Sequence, residues 1–427
     1  MTSRNLRHVA KCGRLLVQSS HSHGRGLRWA SVVGGGGCGG PHKQLFGGSH
    51  LRLVSTSCAT LSKDKKPYST VPQRAPDWNR AVSDAEKIVG YPTSYLTLRS
   101  LLSDEMSNIA VHIRKLVGSS HPLLKTAKRL IYNGRNNMQT RGLIVLLLSK
   151  AAGHVDPDEM DKDLSAGVSH RQRSLAEITE MIHTSHLLHK GVVNISKDMF
   201  DGTTMEDMKF GNKIAVLAGD YLLANACTGL AALRNTEVVE LISTAISDFM
   251  QAEFIGARDS HGNPIPDTDI NIKDWEQRNF LSAGSLLAKS CQCAMKLAGH
   301  VEEIQEKGFE FGKELALAWQ AYTDLQPFLD FYRHPPGSPF DLTSSPVVMH
   351  LTEDPSLREE ILKVGDVWDE HDFKKIHEII MSGNGVQKAK DLCQRHSEAA
   401  LKVLHESFEP SDARTALGNI IHALRID

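Results

Sequence analysis

Residues 211–233 read "GNKIAVLAGDYLLANACTGLAAL". Ile214, Leu217, Ala218, Tyr221 and Leu222 recur at the i, i+3, i+4, i+7, i+8 spacing of one helix face. Few charges interrupt the run, so this helix is expected near the centre of a fold rather than on its rim. The same period returns at 104–118, 122–133, 141–152, 171–190, 237–254, 274–298, 301–326, 357–364, 385–407 and 411–425. Strand-like alternation is scarce. Ser345 before Pro346 and Asp354 before Pro355 place a capping side chain ahead of a proline at a helix start. The breakers gather in "DSHGNPIPDTDIN" (259–271) and "YRHPPGSPFDLTSSP" (332–346). The reading is an all-α bundle of ten or more helices over residues 80–427.

The totals agree with a globular body. Of 427 residues, 41% are hydrophobic, and 49 basic against 50 acidic residues leave a net charge of −1. That balance gives no electrostatic footprint for nucleic acid. No run of roughly 18 apolar residues suggests a membrane span. The seven cysteines are scattered, with Cys291 and Cys293 lacking a second pair at zinc spacing, so buried free thiols of a reducing compartment are expected.

The first sixty residues are a different object. No Asp or Glu precedes Asp64, and Arg4, Arg7, Lys11 and Arg14 share one helix face, opposite Leu6, Val9, Ala10, Leu16 and Val17. A basic, acid-free amphipathic start has the composition of a mitochondrial transit peptide. "VVGGGGCGGPH" (32–42) is too glycine-rich to pack, and residues 61–79 read as a linker, with folding expected to begin near Asp77.

Four segments, in order, carry a resemblance. "EMIHTSHLLHKGVVN" (180–194) resembles EMIHTASLLHDDVID, and "GNKIAVLAGDYLLANA" (211–226) resembles GNKLAVLAGDFLLARA. "FGKELALAWQAYTDLQPF" (311–328) stands where YGKNLGIAFQLIDDVLDF is found, and "NGRNNMQTRGLIVLLLSKAAG" (133–153) is similar to a GKxxRP segment with its helix. These blocks belong to the trans-prenyltransferases, the polyprenyl diphosphate synthases. The resemblance implies an isoprenoid-synthase-type helical bundle around a central cavity.

It also implies a chemistry that these residues are poorly equipped to perform. In that family an allylic diphosphate loses its diphosphate, and isopentenyl diphosphate attacks the resulting cation. Mg2+ neutralises the leaving group, held by carboxylates that DDxxD places on one helix face. Here the first DDxxD falls on Lys190, Gly191, Val192, Val193 and Asn194, with no carboxylate. The second falls on Thr323, Asp324, Leu325, Gln326 and Pro327, and keeps only Asp324. Ser282 and Ala283 replace a lysine–threonine pair, Gly142 replaces the proline after Arg141, and "DLTSSP" keeps Asp341 but not the lysine of DLxxGK.

Blander readings cover what remains. His183, His186 and His189 lack an accompanying carboxylate or thiolate at ligand spacing, and read as helix-face or packed histidines. "DPDEMDKD" (156–163) reads as a solvated acidic loop. Arg141 reads as a helix-start residue, and Asp220 and Asp324 as solvated or hydrogen-bonded remnants. No catalytic, cofactor-binding or metal-binding residue is therefore expected in this chain.

The resemblance narrows to a degenerate chain of the heteromeric decaprenyl or solanesyl diphosphate synthases that make the ubiquinone side chain. It implies a non-catalytic or regulatory subunit in the mitochondrial matrix or at the inner membrane. Its partner would be a catalytic polyprenyl diphosphate synthase subunit, subunit 1 of a heterotetramer, with Mg2+ on that partner. The alternatives are a self-sufficient prenyltransferase with an altered diphosphate site around Lys190 and Arg141, or an isoprenoid-binding scaffold. No nucleic acid and no transmembrane segment are expected.

Overall fold

A computed structural model describes residues 78–90, 121–123, 140–155, 164–165, 167–193, 202–259, 262–267, 269–365 and 368–426. Residues 1–60, nearly all of the linker, the helices expected at 104–118 and 122–133 (save 122–123), the acidic loop 156–163, Asn194, and Cys12, Cys38 and Cys58 lie outside the described residues.

The helices in chain order are α1 (Trp78–Val89), α2 (Arg141–Ala152), α3 (His170–His189), α4 (Gly202–Ala232), α5 (Thr236–Ala252), α6 (Ile272–Asn279) and α7 (Ser285–Leu297). They continue with α8 (Glu302–Leu329), α9 (Ser345–Leu351), α10 (Ser356–Val364), α11 (Glu370–Ser382), α12 (Gly385–Ser407) and α13 (Asp412–His422). The protein is all-α, apart from a two-stranded hairpin (Leu164–Ser165 with Val168–Ser169) and one isolated bridge between Arg258 and Pro264 among the described residues.

Helix α2 is the axis of the core. Its sequence, RGLIVLLLSKAA, is apolar all round, and every residue from Gly142 to Ser149 is buried, as a helix enclosed on all sides requires. Helices α1, α3, α7 and α13 surround it. Lys150 near its C-terminus donates to the carbonyl of Ile88 (2.7 Å), which ties it to the end of α1. Helix α3 begins with a capping box between Ser169 and Gln172, and the buried Gln172 amide also donates to the Ala294 carbonyl of α7 (3.1 Å).

Two close approaches explain their glycines. A Cβ on Gly312 of α8 would lie 2.8 Å from the Ala288 Cα of α7, so only hydrogen fits there. A Cβ on Gly219 of α4 would run into the His189 imidazole of α3, and the Gly219 carbonyl accepts from the Ser185 hydroxyl (2.7 Å).

Helices α6 and α7 form one continuous rod interrupted by a π-helical turn at Phe280–Gly284. Ser282 and Ala283 lie in that turn, and such turns often mark functional places. Just beyond it, Lys289 reaches Asp248 of α5 at 2.6 Å, and the Ser285 hydroxyl donates to the same carboxylate.

Several boundaries differ from the sequence reading. Helix α4 begins nine residues before 211. The cap before Pro346 is Ser344, because the helix already includes Ser345. Helix α10 starts at Ser356, whose N–H is held by Asp354 Oδ1 (3.0 Å), with Pro355 as its cap. Helix α4 is also long and apolar enough over Met205–Ala232 to cross a membrane by length and composition, which the sequence reading did not anticipate. In the fold it packs along α3.

Candidate functional site: a cavity between the altered motifs

A cavity of about 1310 Å³ opens between the C-terminal ends of α3 and α5, the π turn, α8 and the stretches 339–342 and 368–373. Arg141, Lys190, Ser282, Ala283, Thr323 and Asp341 all line it. The five elements that sequence comparison finds altered thus converge on one space, from five separate stretches of chain.

Arg141 is the first residue of α2, as expected of a helix-start residue, but it also faces this cavity. Its guanidinium donates to His183 Nε2 (2.8 Å) and lies over the Trp319 ring (5.6 Å to the centroid). Arginine has no acceptor, so His183 must accept at Nε2 and carry its proton on Nδ1. Burial first, then the charges of Arg141, His186 and Lys190, hold the His183 imidazolium well below its usual range. Trp319 is itself backed by Trp78 of α1 (ring centroids 4.8 Å apart).

Behind Arg141 lies the buried Glu180, whose Oε1 accepts from the Gly142 N–H (2.7 Å). Burial pushes its carboxyl up to about 7, against the lowering effects of the Gly142 bond and the Arg141 charge.

The three histidines at 183, 186 and 189 have three different surroundings. His183 serves Arg141, and His186 stacks on Phe249 (4.3 Å, 20°). His189 meets Asp220 (3.2 Å) and the Val216 carbonyl (3.4 Å) of α4. They are packed against separate partners and do not converge. Asp220 is the solvated remnant, at 62% exposure.

Lys190 pairs with Glu253 at 3.6 Å. Glu253 also takes Arg258 (3.0 Å), which donates in addition to the Gly262 carbonyl (2.7 Å). On the other wall Arg278 approaches Asp341 (3.7 Å) and donates to the Thr343 carbonyl (3.1 Å). Sequence reasoning missed Glu253, Arg258 and Arg278, because nothing in their local pattern ties them to Lys190 or Asp341.

Asp324, the remaining carboxylate of the second motif, is only 8% exposed and does not line the cavity. Its carboxylate accepts from Trp275 Nε1 (2.9 Å), Gln320 Nε2 (2.8 Å) and the Ser345 N–H (2.8 Å). It therefore fastens α8 to α6 and to the start of α9. Burial, with the Asp341 charge adding to it, raises it to about 6.

Magnesium requires oxygen ligands at close to octahedral geometry, including one or two free carboxylates. Lys190 and Gly191 offer none, Asp324 is engaged elsewhere, and Glu253 and Asp341 are held by the chain's own cations. Among the described residues no group of three or more His, Cys, Asp or Glu is arranged to hold a metal ion. The described residues do not fit a magnesium–diphosphate cluster.

Of the free cysteines among the described residues, Cys291, Cys293 and Cys393 are buried as expected, whereas Cys227 is exposed on α4. Burial pushes the Cys293 thiol up to about 12, far from a reactive thiolate.

Helices closed around one large cavity, with aspartate-motif positions facing each other across it, define the class of isoprenoid-synthase bundles. Residues 123–336 match the polyprenyl synthetase family, and the chain belongs to that family. It is 48% identical over 395 residues to the human protein named all trans-polyprenyl-diphosphate synthase PDSS2, covering 91% of this chain and 96% of that one. It is 29% identical to a probable mitochondrial hexaprenyl pyrophosphate synthase of Yarrowia lipolytica, covering 87% of this chain and 95% of that one. Among solved structures, an Arabidopsis medium/long-chain length prenyl pyrophosphate synthase in its apo form is 28% identical, with a TM-score of 0.52 over 76% of this chain and 97% of that one.

Proposed function

We propose that this chain is the non-catalytic subunit of a heteromeric polyprenyl diphosphate synthase that builds the ubiquinone side chain in mitochondria. Its partner is a catalytic polyprenyl diphosphate synthase subunit that keeps its aspartates and carries the Mg2+, in a heterotetramer. The observation that carries this reading is the pairing of Lys190 with Glu253 at the place where the family grips its metal. The surface of α4 supports a partner. Helix α4 packs mainly along α3, only 39% of its most apolar stretch is buried, and Val216 and Leu217 are 41% and 54% exposed. Exposed apolar side chains on a helix packed on one side favour a partner there. The mitochondrial setting rests on the basic, acid-free N-terminus and on relatives named as mitochondrial.

Turnover of an allylic diphosphate with isopentenyl diphosphate tests the reading. The purified chain is expected to give none in the presence of Mg2+, the partner alone little, and the co-expressed pair full activity. Turnover by this chain alone would overturn it.

A further inference from the structure

We propose that Arg141 has two positions and that a proton on the buried carboxyl of Glu180 selects between them: in one the guanidinium faces the cavity, in the other it pairs with Glu180 inside the wall. The device sets the charge that the cavity presents. It goes beyond the subunit reading and stands whichever chain of the complex carries out turnover.

The acid is anchored by an altered position. Glu180 Oε1 accepts from the Gly142 N–H (2.7 Å) in the first turn of α2. The family pattern has proline at this position, and proline has no N–H to give. A Cβ on residue 142 would also crowd the spot, 3.0 Å from both the Glu180 Cγ and the Ala176 carbonyl oxygen. Glycine at 142 thus supplies the bond and the space for it.

The second oxygen has nothing to hold. Glu180 Oε2 is buried and has no hydrogen-bond partner among the described residues. Arg141 is the complementary group. Its guanidinium makes a hydrogen bond to His183, rests on the Trp319 ring, and forms no salt bridge among the described residues. Five N–H donors leave it ample capacity for a carboxylate. Glu180 and His183 are three residues apart on α3, so they are neighbours on one face of that helix. The guanidinium travels about one helical turn along α3 to exchange one for the other.

The proton decides which position is favoured. Burial raises the Glu180 carboxyl to about 7, against the pull of the Gly142 N–H, the Arg141 charge and the Arg141 N–H. Below that pH the acid is neutral and has little hold on the guanidinium. Above it the carboxylate is a buried anion with one oxygen unpartnered, and a buried charge is tolerated when it is paired. His183, its titratable neighbour on α3, is held well below its usual range, first by burial, and stays neutral on both sides of the transition. His186, Lys190 and the His189–Asp220 pair lie further along α3, past His183. Of the other helices packed on α3, α7 presents the Ser290 hydroxyl to Thr179 (2.8 Å) and α4 the Gly219 carbonyl to Ser185 (2.7 Å).

His183 reads the swing, because its Nε2 holds the Arg141 bond only in the cavity position. The test follows the Nε2 NMR signal of His183 in the full chain, labelled on histidine nitrogen and assigned with His183→Gln, from about pH 5 to about 9. One step is expected, centred near the Glu180 value of about 7. It should run downfield as pH rises, as an imidazole nitrogen does on losing a donor. In Glu180→Gln, which keeps an acceptor for the Gly142 N–H, the signal should hold its low-pH value throughout. In Arg141→Leu it should hold the high-pH value throughout. A flat wild-type signal overturns the proposal. A step that persists in Glu180→Gln means that another group drives it, and overturns the proposal too. A step that persists in Arg141→Leu shows the carboxylate acting on the ring directly, with no swing, and is equally fatal. Should one variant fail to fold, the other still decides.

Discussion

Lys190 of α3 lies 3.6 Å from Glu253, the residue that caps α5. A cation of the chain itself stands at the first position of the altered aspartate motif, paired with a carboxylate of the chain. The pair is half exposed, at 49% and 40%, so it contributes little to stability. Glu253→Gln is expected to change unfolding free energy by less than about 1 kcal/mol and to create no Mg2+ affinity. Urea denaturation and calorimetry with MgCl2 check the two halves. Appearance of a tight Mg2+ site would show that the pairing masks a competent metal centre.

Asp324 separates structure from chemistry. Removing its carboxylate leaves the Trp275, Gln320 and Ser345 donors without their acceptor. Asp324→Ala should therefore cost about 2 kcal/mol or more in stability, since each buried unpaired donor costs ~1–3 kcal/mol. The assembled pair should keep its turnover. An assembled, stable Asp324→Ala complex without turnover would show that this carboxylate takes part in the reaction.

Glu180 predicts a pH dependence. Its carboxyl sits at about 7 in the fold, against an ordinary value of 4.5. Between those values the folded state holds the proton more tightly than the unfolded chain. The stability it contributes is present below pH ~4.5 and is lost as pH rises through ~7, by about 3 kcal/mol. Glu180→Gln removes that titration. Denaturation curves at pH 5 to 8 should show the wild type losing ground to the variant. Asp324, raised in the same direction, is present in both and cancels. Parallel pH profiles would refute the assignment.

Gly219 is fixed by the His189 ring. Gly219→Ala should destabilise by about 1–3 kcal/mol through overpacking, and Gly219→Arg, with an unpaired charge added, should abolish the fold or the assembly. Size-exclusion chromatography with the co-expressed partner reads both. A Gly219→Arg chain that assembles normally would mean that α3 and α4 can separate there at little cost.

The outward face of α4 gives the opposite pattern. Leu217→Glu is on the surface and should leave the isolated chain's stability within about 0.5 kcal/mol, while the complex with the catalytic subunit dissociates. Normal assembly with this variant would move the interface elsewhere.

A reporter carrying residues 1–60 should be imported into mitochondria and processed. Cytosolic retention would remove the mitochondrial assignment.

Much of the fold was legible because α2 and α8 declare themselves by burial and period. The run from Leu143 to Leu148 has no surface to offer, and the resemblance of 311–328 put the second aspartate motif on α8. Helix α11 was missed because Glu370, Asp372, Lys374, Lys375 and Glu378 mask the apolar steps at Phe373, Ile376 and Ile380. The loss of carboxylates at the site could be read directly. What replaced them could not: Glu253 reaches Lys190, and Arg258 reaches Glu253, only because the C-terminal ends of α3 and α5 meet in the fold. The π turn depends on a shift of backbone hydrogen-bond register, which no side-chain pattern announces.

Helix α4 runs for 31 residues, about 46 Å at 1.5 Å per residue, and leaves Val216 and Leu217 uncovered on its outward flank. A polypeptide made in excess of whatever covers that flank becomes a client for chaperones and proteases, because exposed apolar surface is what both recognise and what aggregates. The cellular level of this chain should then follow the supply of its partner rather than its own rate of synthesis. Substitutions far from any reacting atom would lower the output of the pathway simply by leaving fewer survivors of quality control.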